Sequence, residues 1–155
     1  MKKIGFLAMS LAMVLSATCY ASLPSNEITI GGIQIGSPIT KVFATYGQPT
    51  RTEDQGYKYY YYGKTISLRT NGKSNALVDY LSSTGNNGWN TPAGIHVGST
   101  RKDVVNAYGT PDNAYQNKGV MFFSYQNKDN QLQSLNFKIK NDKVVEMYLE
   151  WASAL

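Results

Sequence analysis

The sequence predicts an α+β fold built from two tandem repeats, each a short helix followed by a three-stranded antiparallel meander. Three observations predict it. The text from Gly32 to Pro49 recurs at Gly94 to Pro111, superimposing Gly36 on Gly98, Ser37 on Ser99, Val42 on Val104, Tyr46 on Tyr108, Gly47 on Gly109 and Pro49 on Pro111. Inside each copy, apolar residues at helical spacing are closed off by a glycine and a proline. Each copy then runs into stretches of alternating apolar and polar residues, the period of a half-buried strand.

The 155-residue chain begins with Lys2 and Lys3, an apolar run from Ile4 to Leu15 and the small-residue end Ala17-Thr18-Cys19-Tyr20-Ala21. This reads as an export signal over residues 1–21, cut after Ala21. The apolar run is short of the ~20 residues a spanning helix needs. Export implies an extracytoplasmic protein, periplasmic or secreted, with no membrane span once the signal is gone. Cys19 is the only cysteine. A lipid anchor there is disfavoured because Thr18 stands where lipoprotein signals carry Gly, Ala or Ser, and the body that remains has neither disulfide nor thiol chemistry.

Loss of Lys2 and Lys3 lowers the net charge from +5 to about +3. The remaining basic residues are scattered, which excludes the basic arm or stripe of a nucleic-acid binder. The rest divides into a polar lead-in, loose at its start (22–29), repeat 1 (30–81), a Gly/Asn/Ser-rich linker (82–92) and repeat 2 (93–155). A repeat of roughly 60 residues is marginal alone, so the two copies are expected to share one core or one sheet.

In repeat 1, Ser37 is the expected helix cap and Pro38 the first helical residue, with Ile39, Val42, Phe43 and Tyr46 as the buried stripe, Gly47 as the end and Pro49 as the stop. In repeat 2, Ser99 or Thr100 caps, Thr100 and Asp103 make a capping box, Val104, Val105 and Tyr108 form the stripe, and Gly109 and Pro111 stop the helix. Helices of about ten residues are unstable alone and must pack on something. The expected strands are Tyr57 to Tyr62, Thr65 to Thr70 and Ala76 to Leu81, joined by the turns Gly63-Lys64 and Asn71-Gly72. In the second copy they are Val120 to Gln126, Leu132 to Lys140 and Lys143 to Trp151, joined by Asn127-Lys128-Asp129-Asn130 and Asn141-Asp142. Trp89, alone in the polar linker, is expected to seal the junction between repeats.

The repeated Gly-Ile-x-Val-Gly-Ser-Thr-x-x-Asp-Val-x-x-x-Tyr-Gly-x-Pro text, followed by a meander, resembles the fold shared by the tandem β-lactamase inhibitor proteins and the small SmpA/OmlA outer-membrane assembly lipoproteins. The resemblance implies two units on one curved sheet, helices on the convex side and a concave face that grips a protein partner. Its motif consists of capping, turn and core residues. It therefore speaks for the fold more than for any one target.

The loudest compositional signal is tyrosine, 12 residues in all, with Tyr57, Tyr59, Tyr60, Tyr61 and Tyr62 on one strand. Side chains alternate across a sheet. Matching the copies puts Tyr57, Tyr59 and Tyr61 in the core with Met121, Phe123, Tyr125, Leu135, Phe137, Ile139, Val145, Met147, Leu149 and Trp151. The open face then carries Lys58, Tyr60, Tyr62, Ser67 and Arg69 from repeat 1. Phe122, Ser124, Lys138, Glu146 and Tyr148 join from repeat 2, with Tyr80 as the counterpart of Tyr148. Aromatics interleaved with charges on a solvent-facing sheet suit recognition of another protein, since Tyr and Arg give contact area at low entropic cost. Cross-strand pairing that merely stabilises the sheet is the competing explanation.

Catalysis and cofactors are poorly supplied. His96 is the only histidine and reads as a surface or junction residue. Glu53-Asp54 lies in an expected loop, and Asp129-Asn130 and Asn141-Asp142 lack calcium-loop spacing. The glycines Gly31-Gly32 and Gly94 to Gly98 lack the lysine and the βαβ context of a phosphate loop. The expectation is a non-enzymatic protein-binding module without metal or cofactor, an inhibitor of an extracytoplasmic enzyme or an envelope-assembly factor. The alternative is a small-ligand or glycan binder that stacks sugars on Tyr60, Tyr62 and Tyr148.

Overall fold

A computed structural model describes residues 22–71 and 76–151. The expected export signal, Cys19 and the Gly72 half of the Asn71-Gly72 turn lie outside the described residues. The chain is mainly β, which corrects the α+β expectation. Two helices of eight residues each, α1 (Ile39–Tyr46) and α2 (Arg101–Tyr108), accompany eight strands. These are β1 (Arg51–Asp54), β2 (Lys58–Tyr62), β3 (Ile66–Thr70), β4 (Val78–Ser83), β5 (Asn113–Asn117), β6 (Val120–Gln126), β7 (Gln133–Lys140) and β8 (Lys143–Trp151). The helices are short because a proline or a cap fixes each start and a glycine at positive φ, 77° at Gly47 and 74° at Gly109, turns the chain out of each end.

Each unit is therefore a helix followed by four strands, not three. The strands missed, β1 and β5, have the sequences Arg-Thr-Glu-Asp and Asn-Ala-Tyr-Gln-Asn, which carry no apolar alternation because they form the two edges of the sheet. All eight strands make one antiparallel sheet in the order β1-β2-β3-β4-β8-β7-β6-β5. The last strands of the two units meet in the middle, Leu81 opposite Leu149 and Ser82 opposite Tyr148.

The register defines the core. Tyr60, Leu68, Leu81, Leu149, Leu135 and Tyr125 stand in one cross-strand row, all buried. Both helices cover this side: Phe43 of α1 meets Tyr60 edge-on at 5.5 Å, and Tyr108 of α2 packs on Tyr125 and Phe137.

The recurrent Gly-Ser text has a different duty from the one expected. Ser37 and Ser99 do not cap helices. Their hydroxyls accept the backbone N–H of Gln34 and His96 at 3.2 and 3.1 Å, closing a tight turn before each helix. That turn clamps a β-bulge in the last hairpin of each unit. Arg69 pairs with Tyr80 but Thr70 with Val78, so Asp79 is an extra residue; Lys138 pairs with Glu146 but Ile139 with Val144, so Val145 is another. Gly36 N–H and Ser37 C=O bond to Val78 at 2.7 and 2.9 Å, and Gly98 and Ser99 bond likewise to Val144 at 2.8 Å each. Val145, placed in the core by simple alternation, is consequently exposed.

The lead-in is not loose at its start. Leu23 is buried, donates its N–H to the Gln126 carbonyl at 2.7 Å and accepts from Lys128 N–H at 2.8 Å, while the Ser25 hydroxyl donates to Asp129 at 2.8 Å. The lead-in is thus fastened to the second unit. Trp89 fastens the linker to the first unit: it is buried, stacks on Tyr46 at 3.9 Å and leans on Tyr62 at 5.9 Å. Gly31 makes room for this stack, since a Cβ there would come within 2.6 Å of the Tyr46 hydroxyl and 2.9 Å of the indole.

Candidate functional site

The face of the sheet opposite the helices has no covering layer among the described residues. Of the nine residues proposed for it, Arg69, Tyr80, Phe122, Lys138, Glu146 and Tyr148 stand on this face. Lys58, Tyr60 and Tyr62 do not. Tyr60 is 6% exposed in the core row. Tyr62 donates its hydroxyl to the Gly47 carbonyl at 2.9 Å and meets Tyr46 edge-on, so it faces α1. Lys58 shares their parity and reaches the Tyr60 ring at 6.0 Å.

The physical reason is a one-residue difference between the copies. Tyr125 donates to the Gly109 carbonyl at 2.9 Å as Tyr62 does to Gly47, so Tyr62 and Tyr125 are the true counterparts. The path from Gly47 to Tyr62 is one residue shorter than that from Gly109 to Tyr125, and a one-residue slip moves a whole strand's side chains to the other face. Tyr59 and Tyr61, assigned to the core, are on the open face instead. The signal that could have shown this is the aromatic-x-Tyr spacing common to Tyr60/Tyr62 and Phe123/Tyr125. Tyr80 and Tyr148 are likewise not counterparts by register, because Arg69–Tyr80 corresponds to Lys138–Glu146 around the two bulges.

At the centre of the open face, large side chains stand over small ones. Ser82, Tyr148 and Asn136 form one cross-strand row, and Arg69, Tyr80, Glu150 and Ser134 the next. Ser82, Asn136 and Ser134 are buried although no second layer lies above them, because the tall neighbours shelter them. Tyr80 and Tyr148 lie tilted with centroids 6.1 Å apart.

Charges brace this pair. Lys138 Nζ is 2.7 Å from Glu146 and 5.3 Å from the Tyr148 ring centroid. Glu146 also accepts from Ser82 at 3.0 Å and from the Tyr80 hydroxyl at 3.4 Å. On the other flank Arg69 pairs with the bulge residue Asp79 at 2.8 Å and lies over the rings of Tyr57 at 4.9 Å and Tyr80 at 5.7 Å. Towards the β1 edge, Arg51 lies over Tyr61 at 4.0 Å and pairs with Glu53, which also accepts from the Tyr61 hydroxyl at 3.1 Å. Towards the β5 edge, Tyr115 and Phe122 stack in parallel, 4.7 Å apart.

Burial, followed by the charge of Glu146, raises the pKa of Tyr80. Burial, followed by the charge of Glu150, raises that of Tyr148. Glu150 is itself pushed up by burial, against the pull of Arg69 and Lys138. The result is a cross-braced patch of aromatic area, hydroxyls and both signs of charge.

His96 sits in the turn before α2 with Nδ1 3.0 Å from the Val97 carbonyl. Among the described residues no group of three or more His, Cys, Asp or Glu could hold a metal ion. Nor is any helix of the described residues long and apolar enough to cross a membrane.

No family model matches the sequence, and no curated protein matches it. Solved structures similar in shape include the following three. A cysteine-rich secretory protein from Staphylococcus aureus matches with a TM-score of 0.55 at 16% identity, over 85% of this chain and 49% of that one. A DUF4309 family protein from Bacillus subtilis gives 0.49 at 14% identity, over 84% of this chain and 88% of that one. An extracellular protein containing a SCP domain, from Bacillus anthracis, gives 0.47 at 13% identity, over 97% of this chain and 49% of that one. The chain spans about half the length of the staphylococcal and anthrax proteins. At such identities the staphylococcal likeness concerns the fold alone.

Proposed function

We propose that this chain is an exported protein-binding module that holds its partner on the open face of the sheet and catalyses no reaction. The observation that carries the reading is the Tyr80–Tyr148 pair, fixed by Glu146, Lys138 and Arg69 on a face that no other described residues cover. A patch already ordered before binding loses little side-chain entropy when a partner arrives, and Tyr with Arg is the composition of binding hot spots. The signal-like residues 1–21 and the fold shared with a protein described as secretory support export. The resemblance of the repeated text to the tandem inhibitors and the assembly lipoproteins supports a protein partner, as an inhibitor of an extracytoplasmic enzyme or an envelope-assembly factor. A glycan platform is less well supplied, because Tyr60 and Tyr62 face the helices and leave only Tyr148 of its three stacking rings.

The test is capture from envelope and culture-medium fractions by the immobilised chain, compared with a Tyr80→Ala/Tyr148→Ala variant. Specific capture should fall at least about tenfold, the loss of one modest hot spot. Undiminished capture by the variant would sink the reading. So would a collapse of its melting temperature, which would make the two tyrosines structural.

A further inference from the structure

The two edges of the sheet are unlike. At β1, three of four residues, Arg51, Glu53 and Asp54, are charged, the usual protection of an edge against pairing. β5 has no charged residue, and all five of its side chains are exposed. Its backbone geometry follows from the hairpin. Asn117 and Val120 are joined by the two-residue turn Lys118-Gly119, with φ of 47° and 78°, which makes them a mutually hydrogen-bonded pair. Alternation then turns the N–H and C=O of Asn113, Tyr115 and Asn117 toward β6. Those of Ala114 and Gln116 point outward from the sheet.

We infer that two copies of this chain associate by antiparallel pairing of β5 with β5 about a two-fold axis at Tyr115. In that register Ala114 of one copy faces Gln116 of the other, twice. Four backbone hydrogen bonds form from groups that β6 does not use. The residues that flank the strand are complementary in charge: three positions on either side of Tyr115 stand Asp112, whose carboxylate accepts from Gln126 N–H at 2.7 Å and from the Ser22 hydroxyl at 3.4 Å, and Lys118, so the axis sets each Asp112 opposite a Lys118 of the second copy. The two Tyr115 side chains, each stacked on its own Phe122, meet at the axis on the open face. The product is one continuous sheet that doubles that face.

Sedimentation velocity of the purified exported chain should show a concentration-dependent dimer whose association weakens with salt. Gln116→Pro removes one outward N–H per copy at an edge that tolerates proline. Tyr115→Lys sets two ammonium groups face to face, and Lys118→Glu sets a carboxylate against Asp112. Each should raise the dimer dissociation constant at least about tenfold, with an unchanged melting temperature. Should Gln116→Pro fail to fold, the exposed Tyr115→Lys decides. A chain that remains monomeric up to about 1 mM overturns the inference. A dimer indifferent to the variants does so too, as does a monomer that takes up a foreign strand on β5.

Discussion

The first helix starts at Pro38 with no side-chain cap, buries Ile39 and Val42, and sets Phe43 and Tyr46 against the core. The second starts with a full capping box, the Thr100 hydroxyl accepting from Asp103 N–H at 3.0 Å and the Asp103 carboxylate from Thr100 N–H at 2.7 Å. It buries only Val104 and Tyr108, and Val105 of its expected stripe is exposed. Similar repeated text thus reaches the same helix by different means. The first unit relies on packing that the linker completes through Trp89, while the second relies on chemistry at the helix end. Both are fixed at the far end in the same way, by a tyrosine from the neighbouring strand that donates to the last glycine's carbonyl.

If that division is right, the largest single effect should come from Trp89→Ala, which unstacks Tyr46 and empties the space over Gly31. Removal of a buried aromatic costs about 3–5 kcal/mol. Urea denaturation should show this loss, and hydrogen exchange should place the first faster-exchanging amides in α1, with α2 still protected. A loss below about 1 kcal/mol, or equal loosening of both helices, would mean that packing is not what holds the first unit.

A smaller effect sharpens the other half of the comparison. Thr100→Ala removes the hydroxyl of the capping box and should cost about 1 kcal/mol. Denaturant midpoints should move while the slope stays constant. No equivalent deletion exists in the first unit, because Pro38 makes no cap hydrogen bond.

The same contrast explains what could be read in the chain beforehand. The helix ends at Gly47 and Gly109 and the Thr100–Asp103 capping box were legible because they are local: a cap or a positive φ needs only its own few residues. The start of the first helix was not, since Pro38, expected as its first residue, stands at the cap position and Ser37 caps nothing. The extents of β6 and β8 were legible, and Phe123, Tyr125, Met147 and Leu149 are buried as alternation requires, whereas Trp151, expected with them, is exposed. The facing of β2 was not, because five aromatic residues in near-succession carry no alternation and the register rests on the length of the loop before the strand. That loop differs by one residue between units, so Tyr60 and Tyr62 were assigned to the open face and Tyr59 and Tyr61 to the core. The bulges at Asp79 and Val145 were invisible for a related reason. They exist only where the Gly36-Ser37 and Gly98-Ser99 turns dock from elsewhere in the chain. The edge strands lacked a signal because neither buries a face. Much of the candidate site was legible where alternation was clean, at Lys138, Glu146 and Tyr148, and was missed where it depended on β2.

The smallest expected effect separates charge from hydrogen bonding at the second helix. Hydrogen bonds from the hydroxyl and the backbone N–H of Thr100 hold the Asp103 carboxyl below its ordinary value of 3.8, and its place in the first turn favours a negative charge. A carboxyl whose folded pKa is depressed stabilises the protein fully above the unfolded value, and that contribution fades as pH falls through the folded one. Asp103→Asn keeps an acceptor but removes the charge. Its melting temperature should therefore lie slightly below that of the parent chain at neutral pH, and the gap should close as the pH drops below 3.8. Asp129, held low in the same way by Ser25, titrates in both proteins and cancels from the difference. A gap that stays constant from neutral to strongly acid pH would show that the capping box works through geometry alone, and that the second unit's helix is held by shape as much as the first.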